Sequence, residues 1–144
     1  MISQLHHACI LTGDIERLAS RLGTVLALPS SVAPRDVQAA GYALRTAMLP
    51  IGNGTYLQLL EPLRGPGVAE LAAGGEGTLF EVAFQVDSAS SAAAAVRARG
   101  LRPTDFGGRP LDDGFATAAS GSRYLYLPPA EMAGVRVELI QPAG

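Results

Sequence analysis

LHHACILTGDIERLASRL, from Leu5 to Leu22, and LFEVAFQVDSASSAAAAV, from Leu79 to Val96, are one pattern written twice, 74 residues apart. Each opens with a short β-type run, passes a residue suited to capping a helix, Asp14 or Ser88, and enters a helical pattern. In the first copy Ile15, Leu18, Leu22 and Val25 recur at helical spacing, and in the second an alanine-rich helix closes at Gly100. The duplication continues downstream. RTAMLP (Arg45 to Pro50) matches RYLYLP (Arg123 to Pro128) at an offset of 78, and YLQLLEP (Tyr56 to Pro62) matches RVELIQP (Arg136 to Pro142) at an offset of 80. A nearly constant shift is what duplication followed by small loop changes leaves behind.

Each half therefore reads strand, helix, then two or three strands, with loops at PIGNG (Pro50 to Gly54) and PPAEMAG (Pro128 to Gly134). The glycine-rich stretch from Arg64 to Gly77 reads as the link between halves, with room for one helical turn. GGRPLDDG, from Gly107 to Gly114, has no periodicity and reads as a mobile loop, a candidate lid or an ordinary turn. The fold class expected is α+β, a single domain of 144 residues made of two modules at about residues 1–63 and 78–144.

Composition narrows the function classes. An apolar fraction of 48% with 17% charged residues, no apolar run of membrane-spanning length and no basic region ahead of an apolar segment point to a soluble, untargeted, cytoplasmic protein with no membrane partner. A net charge of −2 and few aromatic residues give no footprint for nucleic acid. The single cysteine, Cys9, rules out an internal disulfide and a thiolate metal cage, and reads as a small buried filler.

The polar residues set into apolar strands carry the chemistry. Side chains alternate across a strand, so residues two apart share a face. In FEVAFQV the large apolar residues Phe80, Val82, Phe84 and Val86 take the helix side, which turns Glu81 away from it; the 74-residue offset places His7 at the matching position and His6 with Phe80. Gln58 is set between Leu57 and Leu59, and Glu138 between Val137 and Leu139, so both are expected on the side away from the helix. Any one of these four could be a packing residue with a local partner. Four at duplicated positions point instead to a cage. If the halves pair about a pseudo-two-fold axis, His7, Gln58, Glu81 and Glu138 converge in a cleft between curved sheets. One imidazole and three oxygen ligands, two of them anionic, suit a divalent ion such as Mn²⁺, Co²⁺, Ni²⁺, Zn²⁺ or Mg²⁺.

Over nearly its whole length the sequence resembles the vicinal oxygen chelate superfamily, the group of glyoxalases, bleomycin-resistance proteins and extradiol dioxygenases. The similarity is greatest to methylmalonyl-CoA epimerases, in LHHACILTGDIERLASRLGTVLALP, GNGTYLQLLEPL and YLPPAEMAGVRVELIQ. The resemblance implies paired βαβββ modules that form a curved, mixed, glyoxalase-like sheet around a metal, with ligands at His7, Gln58 and Glu138, and commonly a homodimer. Two departures stand out. FEV occupies the place of a histidine pair, so Glu81 stands where the epimerases have their third ligand, and Arg45 falls where some of them carry a carboxylate proposed as an acid/base.

The reaction expected is proton abstraction next to a carbonyl of a small acyl thioester, with Glu138 as ligand and base and Glu81 as ligand or second acid/base. Arg45 and Arg123, at repeat-equivalent positions, are expected either to anchor a substrate carboxylate or phosphate or to be solvated strand-edge residues. Two alternatives stay open: a glyoxalase I type lyase, which also uses one His, one Gln and two Glu, and a small-molecule binding protein of the resistance type without turnover.

Overall fold

The computed structural model describes residues 1–28, 34–73 and 77–144. In chain order the elements are β1 (Ile2–Leu11), α1 (Ile15–Leu26), β2 (Arg35–Ala39), β3 (Tyr42–Gly52), β4 (Thr55–Arg64), α2 (Val68–Ala73), β5 (Leu79–Val86), α3 (Ala89–Arg97), β6 (Ala116–Thr117), β7 (Arg123–Leu127), a 3₁₀ turn (Pro129–Met132) and β8 (Arg136–Gln141). The order βαβββ occurs twice, and α2 supplies the helical turn expected between the two modules. The mixed sheet has the strand order β2-β3-β4-β1-β5-β8-β7-β6. The chain divides into two compact units, His7–Phe80 and Glu81–Gly144 together with Met1–His6, so β1 contributes its start to one and its end to the other.

In the His7–Phe80 unit, β1 runs parallel to β4, which is antiparallel to β3, and β3 is antiparallel to β2. The β3–β4 hairpin turns at Asn53 and Gly54, both with positive φ (52° and 71°), the geometry that favours this residue pair in tight hairpins. Helix α1 starts because the Asp14 side chain accepts a hydrogen bond from the Arg17 N–H at 3.0 Å, a cap worth about 1 kcal/mol. A second acceptor comes from the sheet: Glu61 Oε2 takes the Ile15 N–H at 3.1 Å. The helix lays Ile15, Leu18, Ala19 and Leu22 on Ala47, Leu49 and Leu59. Val25, expected to continue this stripe, is 72% exposed, because ten residues at helical spacing rotate it off the face that Ile15 begins.

In the other unit, β5 runs parallel to β8, β8 is antiparallel to β7, and β7 to the short β6. The start of β1 is tied here by Ser3 Oγ donating to the Gln85 carbonyl at 3.3 Å and Gln4 Nε2 to Gln85 Oε1 at 3.0 Å. Ser88 caps α3 by accepting from the Ser91 N–H, and Gln141 Oε1 takes the Ala89 N–H at 3.0 Å. Ala92, Ala93 and Val96 pack on Val86, Leu125 and Leu139, the alanines letting helix and sheet approach closely. The loop from Gly107 to Gly114, expected to be without fixed structure, is bonded in place. Leu111 N–H donates to the Pro103 carbonyl at 2.9 Å, and Arg97 Nη2 donates to the carbonyls of Leu111 and Asp112.

Candidate metal centre

The face opposite α3 is set by pairing register. On parallel strands Glu138 lies beside Ala83 and Arg136 beside Glu81, while Tyr126 of β7 lies opposite Glu138. Since Phe84, Leu125 and Leu139 pack toward α3, alternation sends Glu81, Tyr126, Arg136 and Glu138 to the other side, as expected for the two glutamates. Glu81 and Glu138 are only 3% and 6% exposed. The Tyr126 hydroxyl donates to Glu81 Oε2 at 3.2 Å. The Arg136 guanidinium lies 4.9 Å from the Phe106 ring centroid and 5.2 Å from that of Tyr126, and its Nη2 donates to the Phe106 carbonyl at 2.7 Å.

This arrangement sets the protonation of the face. Burial pushes the Glu138 carboxyl well above the usual carboxylate range, the neighbouring Glu81 pushes it further, and Arg136 opposes both. Burial also raises the Tyr126 phenol well above its usual value, with Glu138 and Glu81 adding to the shift and Arg136 opposing it. Tyr126 therefore stays a hydrogen-bond donor at neutral pH.

In the His7–Phe80 unit the same rule places His7, Cys9 and Gln58 on the side away from α1. The pairs are His7 with Tyr56 and Cys9 with Gln58 on β1 and β4, and Met48 with Gln58 on β3 and β4. His7 is 3% exposed. Gln58 Oε1 is buried and accepts no hydrogen bond. Cys9 is fully buried, the filler expected of it.

The atoms that Glu81 and Glu138 offer as metal ligands lie within 4.8 Å of one another. The residues fit a divalent cation on two observations. Gln58 holds an oxygen with its acceptor capacity unused inside the protein, which costs on the order of 1–3 kcal/mol unless a partner arrives. Burial beside Glu81 disfavours the ionised form of Glu138, and a cation held by carboxylate ligands would offset that cost.

The two repeat-equivalent arginines lie elsewhere. Arg45 is the cross-strand partner of Glu61, on the α1 side of β3 and opposite to the Gln58 face. It pairs with Glu16 and lies 3.7 Å from both Asp36 and Glu61. Arg123 is paired with Gln141 on the α3 side, its guanidinium 5.4 Å from the Phe115 ring centroid. Beside the two glutamates lies a cation, Arg136, which sequence reasoning passed over although it shares the parity of Glu138. Tyr126 was passed over as well, since its place opposite Glu138 depends on the β7–β8 register.

No protein-family model and no curated protein match the sequence. Solved structures do. The fold is that of the vicinal oxygen chelate superfamily, the glyoxalase-like arrangement expected from the sequence. The chain resembles methylmalonyl-CoA epimerases in particular. That from Mycobacterium tuberculosis matches with a TM-score of 0.79 at 20% identity, covering 99% of this chain and 90% of the other. A methylmalonyl-CoA epimerase in complex with methylmalonyl-CoA and NH4+ matches at 0.76 and 25% identity, over 100% and 97% of the two chains. A variant of the Streptomyces coelicolor enzyme in complex with 2-nitronate-propionyl-CoA matches with the same figures.

Proposed function

We propose that this chain is a metal-dependent epimerase that removes and returns a proton beside the carbonyl of a small acyl thioester, of methylmalonyl-CoA epimerase type. The observation that carries this reading is the buried carboxylate pair Glu81 and Glu138, on a fold shared with epimerases that bind acyl-CoA ligands. His7, Gln58, Glu81 and Glu138 would hold the ion, one of Co²⁺, Mn²⁺, Ni²⁺, Zn²⁺ or Mg²⁺. When bound, it supplies Lewis acidity toward the substrate oxygens, which lowers the cost of negative charge beside the carbonyl.

The chain's own residues do the rest. Glu138 takes the proton from carbon, and Glu81 serves as the second acid/base, since epimerisation requires proton delivery to both faces of the flattened carbon. The Tyr126 hydroxyl holds one oxygen of Glu81 in place. Arg136 lowers the cost of negative charge on Glu138. The buried rings of Phe106 and Tyr126 keep water from that side, so the charges act in a medium of low polarity. Arg45 and Arg123, on the helix sides, have no part in this reading. A homodimer goes with it, as the superfamily resemblance implies, and a cytoplasmic location, as the composition suggests; among the described residues no helix is long and apolar enough to cross a membrane.

A second reading, a glyoxalase I type lyase, draws support from the donor inventory of one imidazole, one carboxamide and two carboxylates. Protein purified without chelator is analysed for metal, then incubated in D₂O with methylmalonyl-CoA and, separately, with a glutathione hemithioacetal. Bound metal with deuterium entering methylmalonyl-CoA is the expected result. Turnover of the hemithioacetal alone assigns the lyase. Absence of metal and of both reactions leaves a small-molecule binding protein and removes the enzyme reading.

A further inference from the structure

Register-equivalent positions of the two modules carry different partners for their ligand residues. His7, a neutral ligand, is paired across the strands with Tyr56, whereas Glu81, an anionic one, is paired with Arg136. On the antiparallel neighbours, Met48 lies opposite Gln58, while Tyr126 lies opposite Glu138 and reaches Glu81 with its hydroxyl. So the module that carries two carboxylates on this face also carries a cation, Arg136, and a hydroxyl donor, Tyr126.

We propose that Tyr126 and Arg136 are positioning residues for the metal ligand Glu81. The Tyr126 hydroxyl holds Glu81 Oε2 and so restricts the orientation of the carboxylate, while Arg136, its cross-strand neighbour, brings a positive charge to the pair of carboxylates. The inference rests on the metal reading above. Its physical basis is that a carboxylate rotates freely about its last bond and can chelate, bridge or swing away, whereas an imidazole is a rigid single donor. A hydroxyl bonded to one oxygen removes that freedom at the cost of one buried tyrosine, and Tyr126, held among the Phe106 ring at 6.0 Å, the Tyr124 ring at 6.0 Å and the Arg136 guanidinium, is itself fixed. Hydrogen-bond partners of this kind alter metal affinity by about 10–100-fold when removed.

The test measures Mn²⁺ and Zn²⁺ affinity of the full chain by calorimetry, with the Mn²⁺ paramagnetic resonance spectrum as a second readout. Tyr126→Phe keeps the ring and removes the donor. It is expected to weaken binding about 10–100-fold, to change the Mn²⁺ spectrum, and to leave the metal-free melting temperature nearly unchanged. Arg136→Leu is expected to weaken binding in the same direction. In a Glu81→His background, where the ligand is already a rigid single donor, Tyr126→Phe should change affinity by less than about twofold. Wild-type protein that binds neither ion removes the metal reading and this inference with it. Wild-type binding with equal loss from Tyr126→Phe in both backgrounds, or with no loss in either, overturns the inference alone.

Discussion

The two modules share their strand registers around the central polar positions and differ in what they place there. His7 lies opposite Tyr56 as Glu81 lies opposite Arg136, Cys9 opposite Gln58 as Ala83 opposite Glu138, and Met48 opposite Gln58 as Tyr126 opposite Glu138. The helix starts match too, since Glu61 accepts the Ile15 N–H and Gln141 accepts the Ala89 N–H. What diverges is the face turned away from the helix. One module offers an imidazole and a carboxamide there, the other two carboxyl groups, an arginine and a phenol. Register and capping decide whether each module folds, so they are held alike, whereas folding does not require these faces to match.

That comparison is broken most forcefully at Glu138. Glu138→Gln gives it the side-chain type of its repeat counterpart Gln58, removing the proposed base and one proposed anionic ligand with almost no change in volume. Loss of deuterium exchange by about 10²–10⁴-fold is expected, with bound metal reduced in the same preparations. Gln58→Glu, the reverse exchange, keeps the Glu138 base and should cost far less. Equal losses from the two would mean that the faces are interchangeable and that Glu138 has no special part.

Core positions test whether the modules are equally built. Leu59 and Leu139 are repeat equivalents, buried to 0% and 4% exposure under α1 and α3. Each Leu→Ala change should cost about 2–5 kcal/mol in chemical denaturation. A much smaller loss at Leu139 would show that the alanine-lined α3 closes over the cavity, which α1 with its Leu18 and Leu22 cannot do.

Acidity sharpens the contrast. Glu138 has its carboxyl raised in the folded protein, by burial first and by Glu81 second, so folding favours its protonated form. Its contribution to stability is fully present below the ordinary carboxylate value of about 4.5 and is lost as pH rises through the folded value. Metal-free protein should therefore melt at lower temperature as pH climbs from about 4.5 toward neutrality, and Glu138→Gln should flatten that slope. Added divalent ion should reverse it, because a cation favours the ionised form. A metal-free melting temperature independent of pH over this interval would refute the crowding of the two carboxylates.

Much of this was legible in the sequence because duplication is a pattern that needs no coordinates. The offsets of 74, 78 and 80 already contain the strand registers, and strand alternation put His7, Gln58, Glu81 and Glu138 on the correct sides. Arg45 and Arg123 were harder. Their sides depend on how β3 pairs with β4 and β7 with β8, and the first hairpin carries irregularities between Ala43 and Leu44 and between Pro50 and Gly52 that strand counting does not reveal. Arg136 was within reach, two residues from Glu138 on a strand. Tyr126 was not, since its partner Glu81 lies 45 residues away on another strand. The loop from Gly107 to Gly114 lacks periodicity because its order comes from Arg97 and from backbone bonds, which leave no repeating trace in composition.

The smallest expected effects come from the polar residues that end YLQLLEP and RVELIQP. Glu61→Ala and Gln141→Ala each remove an acceptor from a helix N-terminus and should cost about 1 kcal/mol, roughly 3 °C in melting temperature. Exchanging them separates shape from charge. Glu61→Gln keeps a carbonyl acceptor for the Ile15 N–H but removes a charge that lies 3.7 Å from Arg45, so a loss below about 0.5 kcal/mol is expected, and high salt should shrink it. Gln141→Glu places a negative charge at the start of α3, which the helix dipole favours by a few tenths of a kcal/mol (about 0.3). If instead Glu61→Gln costs as much as Glu61→Ala, the carboxylate is held by charge and not by capping. The two helix starts would then resemble each other in geometry without sharing a cause.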